Sequence, residues 1–156
     1  MKKNNICLDV KKSNELVDML NDLLANYQAF YQNIRGFHWI VKGEEFLELH
    51  SIFEKYYEDA VVKTDEIAER ISTLHGVPFH CFEDYIKQSK IESIKKNRVG
   101  NESITTVIKN YSLLIEKERA ILAKAGDSDD KGTVSQMSNY ITETEKNLWM
   151  LNAYLG

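Results

Sequence analysis

Four long stretches of the 156-residue chain repeat apolar residues at steps of three and four, and no proline interrupts them. This period places the apolar side chains on one face of a helix, where they can be buried together. The chain has one proline and seven glycines, too few for the turns of a many-stranded β fold. The sequence therefore predicts an all-α protein built from long amphipathic helices.

The first two predicted helices are joined by a short turn. We expect Ser13 to cap the first helix, since serine accepts hydrogen bonds from free backbone N–H groups, and the apolar stripe continues to about Trp39. The second helix covers about residues 44–74. Gly76, followed shortly by Pro78, is the expected stop signal.

A long connection, residues 77–100, separates the second predicted helix from the third. We expect a short helix within it, over about Phe82–Gln88. The third apolar stripe follows Gly100 and ends near Gly126, and the fourth lies C-terminal to it. Two helical hairpins joined by one long crossover form the topology of some ferritin-like bundles. The pattern therefore predicts a ferritin-like four-helix bundle, with residues 1–156 as a single domain.

The charge of the chain restricts its partners. The net charge is −4 and the isoelectric point is near 5.6. Nucleic acid is disfavoured as the main partner, because neutralising phosphates requires a basic surface. A mildly acidic surface instead suits the attraction of cations.

No targeting segment is evident. The N-terminus lacks the apolar run of a secretory signal, and no stretch approaches the roughly 18 apolar residues of a membrane span. Cys7 and Cys81 form no paired motif and are expected to be free thiols in a reducing compartment. We therefore expect a soluble cytoplasmic protein.

Imidazole and carboxylate side chains recur along the first two predicted helices. His38 lies at the end of the first, and two pairs in the second are spaced four residues apart: His50 with Glu54, and Asp65 with Glu69. Residues at that spacing share one helix face and can converge on one ion. This donor set suits ferrous iron, zinc or manganese. Taken alone, a carboxylate pair at this spacing is usually a solvated helix face or part of a surface ion pair. A histidine at a helix end is commonly a polar cap or a packed side chain.

His50 and Asp65 cannot share a metal within one straight helix. Fifteen residues separate them, which at about 1.5 Å per residue is roughly 22 Å. His38, by contrast, lies across a short turn from His50. Either the two groups are unrelated, or a neighbouring chain completes the site. A two-fold axis between antiparallel second helices would bring His50 near Asp65 of the partner subunit and create two equivalent sites.

The run from His38 to His50, HWIVKGEEFLELH, resembles the signature of the Dps family of mini-ferritins. That signature, His-Trp-x-Val-x-Gly-x-x-Phe-x-x-Leu-His, is met at every specified position. The run DEIAER, residues 65–70, resembles the second signature of the family and lies at a matching distance. The connection HGVPFHCFEDYIKQSKI and the later run EKNLWML also resemble the family, so the likeness spans most of the chain.

The resemblance implies a hollow dodecamer of four-helix subunits that stores and detoxifies iron. It implies ferroxidase sites at the dimer interface, with His38, His50 and Glu54 from one subunit and Asp65 and Glu69 of the partner subunit. The family usually oxidises ferrous to ferric iron with hydrogen peroxide in preference to dioxygen, which protects against oxidative damage. Glu69 is our candidate for a ligand that bridges two metal ions.

Further positions carry expectations of their own. Trp39, beside His38, is a candidate sink for stray oxidising equivalents, with interface packing as the alternative. Asp130 is a candidate for an acidic pore through which iron enters, with a helix cap as the alternative. Ser135 and Asn139 stand where further pore acids are expected, so the pore is predicted to be less acidic than is usual in the family.

Other function classes remain open from the sequence. Conventional ferritins hold metal inside one bundle through Glu-x-x-His motifs, and no such motif occurs in this chain, which disfavours them. A nucleoid protein with a secondary metal site is another alternative, because four lysines near the N-terminus could bind DNA: Lys2, Lys3, Lys11 and Lys12. The net charge of the chain argues against DNA binding. A shell with little redox activity is the third alternative.

Overall fold

The computed structural model describes residues 2–95 and 100–156, and within them the chain forms five helices. In chain order they are α1 Val10–Ile40, α2 Phe46–Thr73, α3 Phe82–Gln88, α4 Asn101–Asp127 and α5 Lys131–Leu155. The predicted all-α topology, with a short helix in the crossover, is confirmed. Residues 96–99 of the predicted connection lie outside the described residues. No described helix is long and apolar enough to cross a membrane.

The first helix begins earlier than predicted, because Asp9 and not Ser13 is its cap. The Asp9 carboxylate accepts a hydrogen bond from the Lys12 N–H at 2.9 Å. Ser13 lies inside α1, where its hydroxyl is buried and donates to the Asp9 carbonyl at 2.9 Å. Aspartate and serine are comparable caps, and the aspartate lies one turn earlier.

The end of α2 depends on a close approach between two segments. The left-handed residue after this helix is His75, with a φ of 66°, and not Gly76. A Cβ atom on Gly76 would lie 2.5 Å from Cγ1 of Val17 in α1. Glycine is therefore required here to let the chain pass α1, and not to provide a left-handed conformation.

The four long helices bury their apolar faces in one core, and α3 packs against α1. Six aromatic rings are among its largest fully buried side chains: Tyr27, Phe30, Phe37, Phe53, Tyr56 and Tyr111. The Phe37 ring of α1 packs against the Phe53 ring of α2 with centroids 5.7 Å apart. This contact holds the last turns of α1 beside the start of α2.

Residues 2–9 fold back against the start of α1. The Val10 N–H donates to the Lys2 carbonyl at 3.0 Å, and the Asn4 side chain accepts from the Leu8 N–H at 2.9 Å. The Lys2 side chain is exposed, but its backbone is held in place. Both cysteines of the chain are free, as predicted, and both are exposed.

Candidate metal centre

The turn between α1 and α2 brings two histidines into contact. His38 lies in the last turn of α1 and His50 in the second turn of α2. Gly43 between them has a φ of 103°, a conformation that favours glycine and allows the chain to reverse. The two imidazole rings stack, with centroids 3.7 Å apart and planes 21° apart. The structure thus brings these two predicted ligands together.

Each histidine is hydrogen bonded to the backbone of the other. Nδ1 of His38 lies 2.9 Å from the His50 carbonyl oxygen, and Nδ1 of His50 lies 2.9 Å from the His38 carbonyl oxygen. Because a carbonyl oxygen only accepts, both Nδ1 atoms carry a hydrogen and donate. In the neutral rings both Nε2 atoms then keep a lone pair for a metal ion. Backbone carbonyls commonly fix metal-binding histidines in this way.

Two aromatic side chains hold the histidine pair in place. Phe46 stacks on His50, with ring centroids 4.9 Å apart. Tyr57 packs edge-on against His38, with centroids 5.2 Å apart. Since both rings are contacted on a second side, their rotation is restricted. The positions of the two Nε2 atoms are therefore set by packing as well as by hydrogen bonds.

Phe46 and Tyr57 were not predicted to belong to the site. The apolar stripe predicts burial of Phe46, yet 37% of this residue is exposed. Tyr57 lies seven residues after His50, about two turns along the same helix face. This spacing is the sequence pattern that could have placed Tyr57 at the site. Burial, followed by the charges of Glu54 and Glu58, raises the pKa of the Tyr57 hydroxyl.

The carboxylates of α2 lie in two separate places. Glu54 is exposed one turn after His50 and shares its helix face. Asp65 and Glu69 are exposed near the other end of the same continuous helix, and Asp65 is roughly 22 Å from His50 at the usual helical rise. Among the described residues, one chain groups no three His, Cys, Asp or Glu side chains around a metal position. One chain therefore does not complete the predicted site.

A cavity of about 910 Å³ opens between α1 and the α3 segment. Its lining includes Tyr31 and Phe82, and the Tyr31 ring packs edge-on against Tyr57 at 6.2 Å. Phe82 and Ile86 of α3 are both largely exposed. Tyr57 thus lies between His38 and Tyr31, which forms part of the cavity wall.

Trp39 follows His38 at the end of α1 and is 63% exposed. The Arg35 guanidinium lies over its ring at 4.8 Å and over the Tyr31 ring at 4.7 Å. Nη1 of Arg35 also donates to the Tyr31 hydroxyl at 2.6 Å. The indole is therefore held by one cation and otherwise open to solvent or to a neighbouring chain.

Asp130 is the N-cap of α5 in the structure and is only 2% exposed. Its carboxylate accepts from the Thr133 N–H at 3.0 Å and from the Arg70 guanidinium at 2.5 Å. Burial alone would raise the pKa of Asp130, but the bonds from Arg70 and Thr133 outweigh it and lower the pKa. The structure thus shows the helix-cap alternative, and a role in a pore stays a prediction. Ser135 and Asn139 are exposed further along α5.

Similarity to known proteins agrees with this architecture. The chain matches the Ferritin-like domain family over residues 17–156. It is 44% identical over 153 residues to an uncharacterized protein of Haemophilus influenzae, covering 98% of this chain and 96% of that one. It is 39% identical over 139 residues to the DNA protection during starvation protein of Porphyromonas gingivalis, covering 89% and 87% of the two chains.

Solved structures show the same fold. The Dps protein of Vibrio cholerae, described as a member of a broad superfamily of ferritin-like diiron-carboxylate proteins, superposes with a TM-score of 0.97. The two sequences are 46% identical, and the match covers 100% of this chain and 98% of that one. A Dps protein of Bacillus brevis superposes with a TM-score of 0.90 at 26% identity, covering 94% and 98% of the two chains. The predicted ferritin-like bundle is therefore confirmed.

Proposed function

Because the chain belongs to the Dps family of ferritin-like proteins, we propose that it oxidises ferrous iron at sites shared between two copies of itself. Iron storage and protection under stress are the general functions of this family, and we assign them to this chain. One observation carries the finer proposal. His38 and His50 fix each other's ring orientation, and the Nε2 atom of each keeps a lone pair for a metal ion. The next candidate carboxylates after Glu54 are those of Asp65 and Glu69, which lie too far along α2 to reach the same ion.

The proposed site combines His38, His50 and Glu54 with Asp65 and Glu69 of the partner subunit. A two-fold axis between antiparallel α2 helices creates two such sites in each dimer. The exposed apolar side chains of Phe82 and Ile86 on α3, which packs against α1, support contact with a second copy. We propose that such dimers assemble into a dodecameric shell, as the family resemblance implies.

The chemistry follows from the donor set. Neutral imidazole nitrogen and carboxylate oxygen suit ferrous iron, which is the substrate. Two ferrous ions held side by side give one electron each to one molecule of hydrogen peroxide. The O–O bond breaks, two hydroxide ions form and both iron ions become ferric, so no hydroxyl radical is released. The two ferric ions, the two hydroxide ions and two water molecules then form ferric oxyhydroxide and release four protons.

Individual residues have distinct roles in this proposal. The two histidines orient the first ion through Nε2. Glu69 bridges the two ions, which sets their spacing for a two-electron transfer. The exposed Trp39 indole, next to His38, accepts stray oxidising equivalents when peroxide meets a single ion. Asp130 is proposed to lie near the route of iron entry, at the end of α2 that carries Glu69.

Mixed dimers provide the experiment that tests the shared site. In a dimer of one His38→Ala chain and one Asp65→Ala chain, one shared site carries both substitutions and the other carries neither. Random pairing of co-expressed chains makes half of the dimers mixed, so about a quarter of all sites are intact. Ferrous oxidation by peroxide in anaerobic solution is then measured for each single variant and for the co-expressed pair.

We expect each single variant to oxidise ferrous iron slowly and the co-expressed pair to recover about a quarter of the wild-type rate. A site built within one chain predicts no recovery, because every chain then carries one substitution. Wild-type rates in the His38→Ala, Asp65→Ala double variant would refute the ferroxidase assignment itself. Omitting peroxide, and then supplying dioxygen, identifies the oxidant.

A further inference from the structure

The middle of the bundle contains a buried lysine. Lys63 of α2 is only 3% exposed. Its Nζ donates to Asp59 at 2.5 Å and to Glu143 of α5 at 2.6 Å. The same Nζ lies 5.1 Å from the centroid of the Tyr140 ring. Lysine is almost never buried to this extent unless its charge is paired. The two carboxylates therefore account for the burial of this ammonium group.

A buried carboxyl group lies in the same layer of the bundle. Glu118 of α4 is completely buried. One of its oxygens accepts from the Tyr27 hydroxyl of α1 at 2.5 Å. The other, Oε2, has no hydrogen-bond partner of good geometry among the described residues, although Thr144 lies beside the carboxyl group. Burial raises the pKa of Glu118 to about 7, and the charge of Lys63 acts against that rise.

These side chains come from all four long helices. Ferritin-like di-iron proteins bind metal at such a place, with inward carboxylates from four helices and histidines from two of them. This chain keeps one inward carboxyl group, Glu118, but has Lys63 near it and supplies no histidine. The two carboxylates that hold Lys63 have side chains that are 39% and 57% exposed. The described residues group no three His, Cys, Asp or Glu side chains around a metal position. The residues present therefore do not fit a metal ion in the bundle centre.

We propose that Lys63 is the fixed cation of the bundle centre and excludes metal ions from it. Its ammonium group neutralises Asp59 and Glu143 and fills the space between them. An uncharged side chain in its place would leave the buried carboxyl group of Glu118, and the two partly exposed carboxylates, without a counter-ion. Oxygen ligands of this kind bind divalent cations. Lys63 thus confines metal binding to the surface of the bundle.

The test is a gain of metal binding. Lys63→Met is introduced into the His38→Ala, Asp65→Ala background, which lacks the proposed interface ligands, so the outcome does not depend on the proposed function. Cobalt(II) binding at micromolar free metal is measured by equilibrium dialysis and by visible absorption. We expect about one more cobalt ion per chain than in the parent, with a new d–d band. Adding Glu118→Gln should remove the extra ion.

Lys63→Arg is the matched control, because it keeps the positive charge and should bind no more cobalt than the parent. A folded Lys63→Met protein without additional cobalt would overturn the proposal, and so would an equal gain in Lys63→Arg. If Lys63→Met unfolds in chelator, its melting transition is measured with and without cobalt. If cobalt restores the melting transition and Glu118→Gln abolishes that effect, the proposal is supported. If cobalt does not restore the transition, the proposal is refuted.

Discussion

His38 and His50 each donate a hydrogen bond from Nδ1 to the backbone carbonyl oxygen of the other, at 2.9 Å in both directions. The backbone of the α1–α2 turn therefore fixes the tautomer of both rings. The nitrogen atoms proposed to bind iron are set before a partner chain contributes its carboxylates. Half of the proposed site is thus organised by local folding, and the other half depends on assembly.

The packing of Tyr57 against His38 predicts a difference between two substitutions. Tyr57→Ala removes the ring that restrains His38, whereas Tyr57→Phe keeps the ring and removes only the hydroxyl. Loss of supporting residues around metal-binding histidines typically costs 10- to 100-fold in metal affinity or activity. We expect peroxide-dependent ferrous oxidation at low iron to fall about 10-fold in Tyr57→Ala and to stay near wild type in Tyr57→Phe. A loss of the same size in both variants would show that the hydroxyl, and not the packing, matters.

The proposed bridging role of Glu69 predicts a loss of activity that an α2 carboxylate outside the proposed site does not show. Glu69→Ala removes the ligand between the two ions, so the two-electron transfer to peroxide should slow by at least about 10-fold. Glu58→Ala removes an equally exposed carboxylate from the same helix and should leave the rate unchanged. Initial rates of ferric iron formation, measured by absorbance, compare the two. A wild-type rate in Glu69→Ala would remove this residue from the site.

The helices and the candidate ligands could be predicted because their signals are local. A period of three to four residues reports a helix wherever it occurs, and the spacing of His50 and Glu54 reports one face. The approach of His38 to His50 also needed only a short turn. What the sequence could not settle was whether Asp65 and Glu69 belong to that site, because the answer depends on a second chain.

Other features were missed because the relevant contacts are distant in sequence. Gly76 resembles a left-handed stop residue, but Val17, in another helix, is what requires glycine there. Glu118 lies at a core position of its helix, three residues before Ile121, yet its charge suggests a surface location. Only the packed bundle shows that Lys63 and Tyr27 surround it.

The close approach at Gly76 predicts a stability difference between two glycine substitutions. A Cβ atom at Gly76 would lie 2.5 Å from the Val17 side chain, whereas one at Gly126 would meet nothing within 4 Å. Gly76→Ala should therefore destabilise the protein by about 1–3 kcal/mol through overpacking. Gly126→Ala, in the last turn of α4, should be neutral or stabilising by up to about 1 kcal/mol. Thermal melts followed by circular dichroism compare them, and equal melting temperatures would contradict the close packing.

The folded-back N-terminal segment predicts weak DNA binding. The Lys2 carbonyl is hydrogen bonded to the Val10 N–H, so the lysines of this segment do not form a free tail. The net charge of −4 also opposes the approach of the protein to phosphates. We expect no shift of duplex DNA in a gel assay at about 0.15 M salt. A shift that disappears on Lys2→Ala, Lys3→Ala substitution would instead support the nucleoid alternative.

Burial of Glu118 predicts a stability that depends on pH in a defined direction. Its pKa rises from an ordinary value of 4.5 to about 7, so folding favours the protonated form. The stabilising contribution is complete below about pH 4.5 and is lost as the pH rises through about 7. Glu118→Gln keeps an acceptor for the Tyr27 hydroxyl and cannot ionise. At pH 8 it should be more stable than wild type, by as much as about 3 kcal/mol, and the advantage should vanish near pH 5.

Asp130→Asn provides the control of opposite sign for this pH profile. The bonds from Arg70 and Thr133 lower the pKa of Asp130 despite its burial. Its contribution to stability is therefore present above the pKa it has in the unfolded chain, and is lost as the pH falls through the pKa it has in the folded protein. Asp130→Asn should therefore be less stable than wild type at pH 8 and approach it in acid. Melting temperatures of the three proteins between about pH 2 and pH 8 give both slopes, and the Asp130→Asn difference should change only below pH 3.8, the ordinary value of this group. A difference between Glu118→Gln and wild type that stayed constant across this range would mean that folding does not raise the pKa of Glu118, which would contradict the effect assigned to its burial.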